Sequence, residues 1–458
     1  MSWSARFFRI LPLLAAACGA PGHLEEDARP VNLVVLFADD LGYGDLGCYG
    51  HPVIRTPELD RMAAEGLRFT QFYSASPACT ASRYALLTGR LAARSGFAWV
   101  LGPASERGVH PGEVLVSEEL RAAGYATAVF GKWHLGRPEA YLPLQHGFDE
   151  AFGLPYSNDM QPPHGPPLPL LDGNEVVEYD PDQTTLTRRY TERALDFLDR
   201  NHARPFFLYL PYAMPHVPLH PGAAFAGRSP RGEYGDVVEE IDWSVGAILQ
   251  RLRELGVAED TLVVFTSDNG PWIIKHLRGG SSGLLRDGKG STWEGGIRVP
   301  GIFWWPGTIE AGRTTAARGS TLDLFPTAQR LAGRPREAGR GPNGLALDGE
   351  DLSPVLLGEA EERRRPLFHH GPYHKLHAVQ EGPWKLHLAT SSQTGKDYFE
   401  GKLPLLFHLD RDPSETVDVA AENPEVVARL TALAEAHLAE LAADGNLFDG
   451  PAQEADEE

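Results

Sequence analysis

The stretch that decides the fold is "VNLVVLFADD", residues 31–40. Its apolar run does not alternate with polar residues, which marks a strand covered on both faces, as in a parallel sheet packed between helices. The run then stops on two aspartates, Asp39 and Asp40. Further runs of the same kind follow: "YATAVFG" (125–131), "PFFLYLPYA" (205–213), "TLVVFTS" (261–267) and "VPGIFWW" (299–305). Helical patterns separate them. Residues 233–255 are the clearest, with Ile241, Val245, Ile248, Leu252 and Leu255 on one face and Gly256 as the stop. Strands alternating with helices predict an α/β fold, a mostly parallel sheet flanked by helices.

After about residue 360 the texture changes. "RRRPLFHHG", "HAVQEGPWKLHLA" and "PLLFHLDRDPSE" read as short strands joined by turns, and "PEVVARLTALAEAHLAELAA" as a closing amphipathic helix begun by Pro424. The predicted organisation is one large domain over 31–360 and a smaller C-terminal α+β domain over 361–450, as the length of 458 residues suggests. Ahead of them stand a signal peptide (1–18) and a polar tether (19–30). "MSWSARFFR" is a basic start, and "ILPLLAAA" is an apolar run too short to span a bilayer. The small-residue stretch ending in Cys18 resembles a bacterial lipoprotein cleavage box, although Ala15 stands where such boxes carry leucine. Lipidation and plain cleavage therefore both fit. The expected location is outside the cytoplasm of a bacterial cell: periplasmic, lipid-anchored or secreted.

A formal net charge of −20 argues against nucleic acid and against an anionic membrane surface. Membrane contact is expected only through an N-terminal lipid anchor. The same charge means that an anionic substrate would need a local positive field. Of three cysteines, Cys18 is either lipidated or lost with the signal, leaving Cys48 and Cys79. A Cys48–Cys79 bridge is one reading of the pair, but a chain of this size hardly needs it.

In an open α/β sheet, ligands bind outside the carboxyl ends of the strands. Here strand 31–38 ends in Asp39-Asp40, strand 125–131 in Lys132-Trp133-His134, strand 205–213 in Met214-Pro215-His216, and strand 261–267 in Asp268-Asn269-Gly270. Each cluster taken alone could be a turn, a cap or a solvated surface. Together they converge on one edge. Three carboxylates and an amide oxygen make a hard donor set suited to calcium or magnesium, with calcium expected first, while no Cys/His spacing suggests zinc. That cation, with Lys132, Lys289 and Arg83, would supply the positive field for an oxyanion. His134 and His216 are candidates for acid/base work.

"CTASRYALLTGR" (79–90) resembles the signature of the sulfatase family, in which Cys-x-Pro-x-Arg precedes a short helix ending in Thr-Gly-Arg. The resemblance runs from "LFADDLGYGDLGCYG" through "GKWHLG", "HGFDEAFGLPYSNDM", "MPHVP", "SDNG" and "RGGSSGLLRDGKGSTWEGGIRVPGIFWWPG" to "LFHLDRDPSE". Within the family it is similar to the arylsulfatase A group. The implied fold is the alkaline-phosphatase-like sheet. The resemblance also implies that Cys79 is oxidised to formylglycine (3-oxoalanine) by a formylglycine-generating enzyme, so an unpaired thiol needs no partner. Asp39, Asp40, Asp268, Asn269 and an oxygen of the modified Cys79 would bind calcium. Arg83 would hold the hydrated aldehyde, and Lys132, His134, Ser157, His216 and Lys289 would contact the sulfate ester.

The implied reaction is hydrolysis of sulfate monoesters, on aryl or carbohydrate alcohols, in two steps. One diol oxygen attacks sulfur with Asp268 as proton acceptor, and the alcohol leaves with His216 or Lys289 as donor. The second hydroxyl, deprotonated by His134, then expels sulfate. Two departures stand out. Ala81 replaces the proline of the signature, and Ser282 and Asp287 stand where animal relatives carry cysteines. The alternatives are a phosphonate or phosphate ester hydrolase of the same superfamily and an inactive protein that binds sulfated glycans. The segment "YSNDMQPPHGPPLPLL" (156–171) is expected to shape the pocket mouth.

Overall fold

The computed structural model describes residues 30–447 apart from 98 and 338. The signal peptide with Cys18, nearly all of the tether and the acidic tail lie outside those residues. In chain order the large sheet contains β1 (Asn32–Ala38), β2 (Leu67–Tyr73), β3 (Ala126–Phe130), β4 (Glu150–Gly153), β5 (Pro169–Asp172) and β6 (Glu175–Tyr179). It continues with β7 (Phe206–Pro211), β8 (Thr261–Ser267), β9 (Arg298–Trp304), β10 (Arg313–Thr315) and β11 (Gly319–Ser320). Their spatial order is β10-β2-β9-β8-β1-β7-β3-β4-β5-β6, with β11 also on β2.

Strands β4, β3, β7, β1 and β8 run parallel. β9 runs antiparallel to both β8 and β2, so the sheet is mixed but mostly parallel. β2 had no clear sequence signal because Arg68, Thr70 and Gln71 interrupt its apolar run. The short β4–β6 meander was equally silent.

The unbroken apolar run of β1 is explained by burial on both faces. Val34, Leu36 and Ala38 pack beneath the helices Leu186–Asn201 and Glu233–Glu254, while Leu33, Val35 and Phe37 face the helices Cys79–Thr88 and Leu324–Leu331. Each of these valine, leucine and phenylalanine side chains contributes roughly 1.5–3 kcal/mol of burial. In the helix Glu233–Glu254, Ile241, Val245, Ile248 and Leu252 are buried, and the chain turns away at Gly256 with φ +70°.

The smaller domain is an antiparallel sheet of β12 (Leu367–His370), β13 (Leu376–Glu381), β14 (Trp384–His387) and β15 (Leu405–His408). The helix Pro424–Asp444 closes it, laying Val426, Leu430 and Ala434 on Leu376, Val379, Leu386 and Leu406. Among the described residues, no helix is long and apolar enough to cross a membrane.

Candidate active site

Parallel register brings the carboxyl ends of β1, β7 and β8 level, with Phe37 opposite Pro211 and Ala38 opposite Ser267. β3 joins through Val129 opposite Tyr209 and leaves the sheet at Gly131, where φ is +143°. A Cβ there would sit 1.8 Å from the Pro211 carbonyl oxygen, so only glycine lets the chain turn and deliver Lys132. Asp40 (φ +66°) and His134 (φ +60°) hold left-handed conformations of the kind that cost of order 1–3 kcal/mol and persist where surroundings fix them. The Asp40 N–H donates to Asp268 Oδ1 at 3.0 Å, and the His134 N–H to the Pro155 carbonyl at 3.1 Å.

The side chains interlock. Lys132 Nζ donates to Asp39 Oδ2 at 2.6 Å and to Ser157 Oγ at 3.1 Å. The Arg83 fork donates to the Lys132 carbonyl at 2.8 Å and to Asp268 Oδ2 at 3.0 Å, and lies 3.3 Å from Asp39 Oδ2. Asp40 receives Lys289 Nζ and Asn269 Nδ2, each at 2.8 Å. Cys79 opens the helix Cys79–Thr88, whose residues are all buried, and its Sγ lies 3.7 Å from Asp39 Oδ1. Thr80 Oγ1 donates to the His134 carbonyl at 3.1 Å, tying that residue to the same helix. The residues assigned above to the ion, the sulfate ester and proton transfer therefore gather at this edge. Cys48 and Cys79 are both free thiols, so the bridge between them does not form.

Burial opposes ionisation of Asp39, yet Lys132 and Arg83 outweigh it and hold the carboxyl well below its usual range. Burial, then the charge of Asp39, pushes Asp268 up. Burial and the neighbouring Lys132 and Arg83 hold His134 well down, while burial and Lys289 lower His216. Both imidazoles are therefore neutral near pH 7. Burial pushes the Cys79 thiol up, so it keeps its proton.

Hydrogen bonding assigns the tautomers, because a carbonyl can only accept. His134 Nε2 donates to the Leu101 carbonyl at 2.9 Å, leaving Nδ1 buried and without a partner. His216 Nδ1 donates to the Val217 carbonyl at 2.6 Å, so its bare Nε2 faces Asp40 Oδ2 at 3.7 Å. Two electron-rich atoms at that distance call for a proton or a cation.

Asp39, Asp40, Cys79 and His216 offer donor atoms within 4.8 Å of one another. His216, expected only at the substrate, thus joins the group, while the Asp268 oxygens are engaged by Arg83 and the Asp40 N–H. Asn269 Oδ1 is buried with no partner, a state that costs about 1–3 kcal/mol unless something fills it. Carboxylates beside an orphaned amide oxygen fit a hard divalent cation. Counted formally, Asp39, Asp40 and Asp268 match Arg83, Lys132 and Lys289 in number. A divalent cation would tip the site positive against the acidic whole.

The sequence reading missed three contributors. The Leu101 carbonyl sets the His134 tautomer, and Thr80 Oγ1 also accepts the Leu101 N–H at 3.1 Å. Trp272 places its ring 5.5 Å from that of His216 and 4.7 Å from Lys289 Nζ. Only its closeness to Asn269 in the chain hinted at it.

The fold and the cluster define a class, a hydrolase that holds an oxyanion ester against buried cations. Residues 31–334 match the sulfatase family, and residues 362–455 match the C-terminal region of aryl-sulfatase. The chain is 43% identical to arylsulfatase A of Homo sapiens over 471 residues, covering 93% of this chain and 91% of that one. It is 39% identical to N-acetylgalactosamine-6-sulfatase of Rattus norvegicus, with 93% and 88% covered. The crystal structure of PsFucS1 sulfatase from Pseudoalteromonas sp. matches with a TM-score of 0.83 at 30% identity, over 92% of each chain. The chain belongs to the sulfatase family and is an enzyme of sulfuric ester hydrolysis.

Proposed function

We propose that the enzyme cleaves sulfate monoesters of aryl or carbohydrate alcohols, using a formylglycine made from Cys79 by a formylglycine-generating enzyme and a calcium ion. Asp39, Asp40, Asp268 and Asn269, with an oxygen at residue 79, would hold the ion. A fully buried cage of protein oxygens suits calcium better than magnesium, which keeps its waters. The observation that carries the reading is the position of Cys79, a buried, unpaired thiol at a helix N-terminus, 3.7 Å from Asp39. Bound there, the ion and the hydrated aldehyde would supply charge neutralisation and the oxygen nucleophile.

The chain's own groups do the rest. Lys132 and Lys289 present ammonium groups to the sulfate oxygens, while the Arg83 fork fixes the carboxylates Asp39 and Asp268 around residue 79. Asp268, its affinity for a proton raised by burial and Asp39, is suited to accept one. His134 offers a bare Nδ1 as the base of the second step. For the departing alcohol, Lys289 is the better donor. Against its burial, Asp40 keeps it an ammonium, whereas His216 Nε2 carries no proton until one is taken up. The N-terminal signal supports a location outside the cytoplasm of a bacterial cell, anchored or free.

The test compares matched nitrophenyl sulfate and nitrophenyl phosphate beside a panel of sulfated mono- and oligosaccharides. The sulfate should turn over at least about 100-fold faster, a margin within what transition-state discrimination supplies. Mass spectrometry of the peptide with residue 79 should show an aldehyde. Equal or reversed rates would hand the case to a phosphate or phosphonate esterase, and a thiol in fully active protein would overturn the nucleophile.

A further inference from the structure

Lys289 sits on a turn with no regular secondary structure, between the short helices Ile273–Arg278 and Glu294–Ile297. Its ammonium must nevertheless reach Asp40 at 2.8 Å on four rotatable bonds, so the position of its backbone matters. One side of the turn is held by the large domain. The Lys289 N–H donates to the Pro271 carbonyl at 2.9 Å, and the Gly290 N–H to the Pro77 carbonyl, two residues before Cys79, at 3.0 Å.

The other side is held by the small domain. Ser391 Oγ donates to the Gly290 carbonyl at 2.9 Å, and Ser392 Oγ to Asp287 Oδ2 at 2.5 Å. The Gln393 N–H reaches Asp287 Oδ1 at 3.1 Å. The Gln393 side chain then spans two segments. Its Nε2 donates to the Lys289 carbonyl at 2.9 Å, and its Oε1 accepts the Ile274 N–H at 3.1 Å. Asp287 is a hydrogen-bonded post with φ +63°.

We infer that Gln393 is a positioning residue for Lys289, through which the small domain completes the site; the inference rests on Lys289 serving the sulfate ester as proposed above. Gln393 is half-buried and forms neutral hydrogen bonds, so its removal costs little stability. The catalytic cost is larger, because a misplacement of about 1 Å can cost on the order of 100-fold.

The experiment is a double-mutant cycle on the mature, metal-loaded enzyme, reading kcat/KM on nitrophenyl sulfate together with the thermal midpoint. Gln393→Ala should lower kcat/KM on the order of 10- to 100-fold at a nearly unchanged midpoint. In a Lys289→Ala background the same change should cost about 2-fold or less, because the group it positions is gone. Gln393→Glu keeps the acceptor for Ile274 but loses the donor to Lys289, so it should match the alanine variant, and it decides the case if that variant folds poorly. Equal losses in both backgrounds, or wild-type activity in Gln393→Ala beside a crippled Lys289→Ala, would overturn the inference alone. A fully active Lys289→Ala would instead remove the role of Lys289 on which it rests.

Discussion

Two of the buried charge clusters among the described residues do different things. The first is the edge where Asp39, Asp40 and Asp268 meet Arg83, Lys132 and Lys289. The second is the seam between the domains. There Glu294 meets Lys385 at 2.9 Å, Tyr73 at 2.9 Å and Arg298 at 3.2 Å. Glu415 meets His387 at 2.7 Å and Lys385 at 3.1 Å, and accepts the Glu294 N–H at 2.7 Å. In each cluster the charges balance, so neither burial nor charge tells site from staple. What differs is the unspent capacity. At the seam every carboxylate oxygen has a partner, and only His387 Nδ1 is without one, its ring centred 4.3 Å from that of Trp293 and tilted 33° to it. At the strand edge Asn269 Oδ1 and His134 Nδ1 are buried without partners, and His216 Nε2 faces a carboxylate. A structural cluster closes on itself, whereas a site keeps atoms free for what it binds.

The largest expected effect breaks the first cluster. Asp40→Ala should lower sulfate ester hydrolysis on the order of 1,000-fold or more and remove the bound divalent cation, with the thermal midpoint lowered because Lys289 loses its counter-charge and the fold its bound ion. Metal content by elemental analysis and kcat/KM together check it. Full activity in metal-free protein would erase the distinction between site and staple.

Lys385→Met attacks the second cluster. It leaves Glu294 and Glu415 without their shared cation in the interior, which should cost about 3–5 kcal/mol in urea unfolding. Metal content should not change. Unchanged stability would mean the seam is no staple.

Acid should act on the seam with a definite sign. Burial lowers His387 from its ordinary 6.5, although Glu415 opposes this, and burial followed by Lys385 pushes His369 down to about 3. The folded state therefore binds fewer protons than the unfolded one below about pH 6.5, and stability falls as pH falls through that range. Against its burial, Glu294 is held low by Lys385 and Arg298, adding a second loss below its ordinary 4.5. Each histidine contributes at most about 1.4 kcal/mol per pH unit. His387→Gln, which keeps a donor for Glu415 but takes up no proton, should flatten the fall between about pH 6.5 and 5 in urea titrations. An unaltered slope would assign the acid response elsewhere.

The smallest effect is expected beside the site. Ala81 is the third residue of the helix Cys79–Thr88, in the first turn, where backbone N–H groups lack intrahelical partners. Ala81→Pro, which restores the usual signature, should change stability by less than about 1 kcal/mol and leave the activity of fully converted enzyme unaltered. A larger loss would show that this chain has adapted its helix to alanine.

The positions of Asp39, Asp40, Lys132, His134, His216, Asp268 and Asn269 are legible in the amino-acid sequence, because each lies within a few residues of the end of an apolar run. A strand that runs apolar on both faces announces a covered sheet, and the parallel rule places its far end at the ligand edge. The closing helix is equally plain from Pro424 and its periodicity. The sequence by itself thus determined strands β1, β3, β7 and β8, their common edge and the chemistry gathered there. Tertiary structure alone decided that β9 runs antiparallel, that polar-interrupted β2 joins the sheet, and that His134 keeps Nδ1 free because Leu101 takes Nε2. It alone brought Gln393 to Lys289 across 104 residues, and Lys385 to Glu294 across 91. The reason is physical. Side-chain periodicity encodes what a segment buries and is written in neighbouring residues, whereas a hydrogen bond between distant segments exists only once the packed sheet and its covering domain have set both backbones in place.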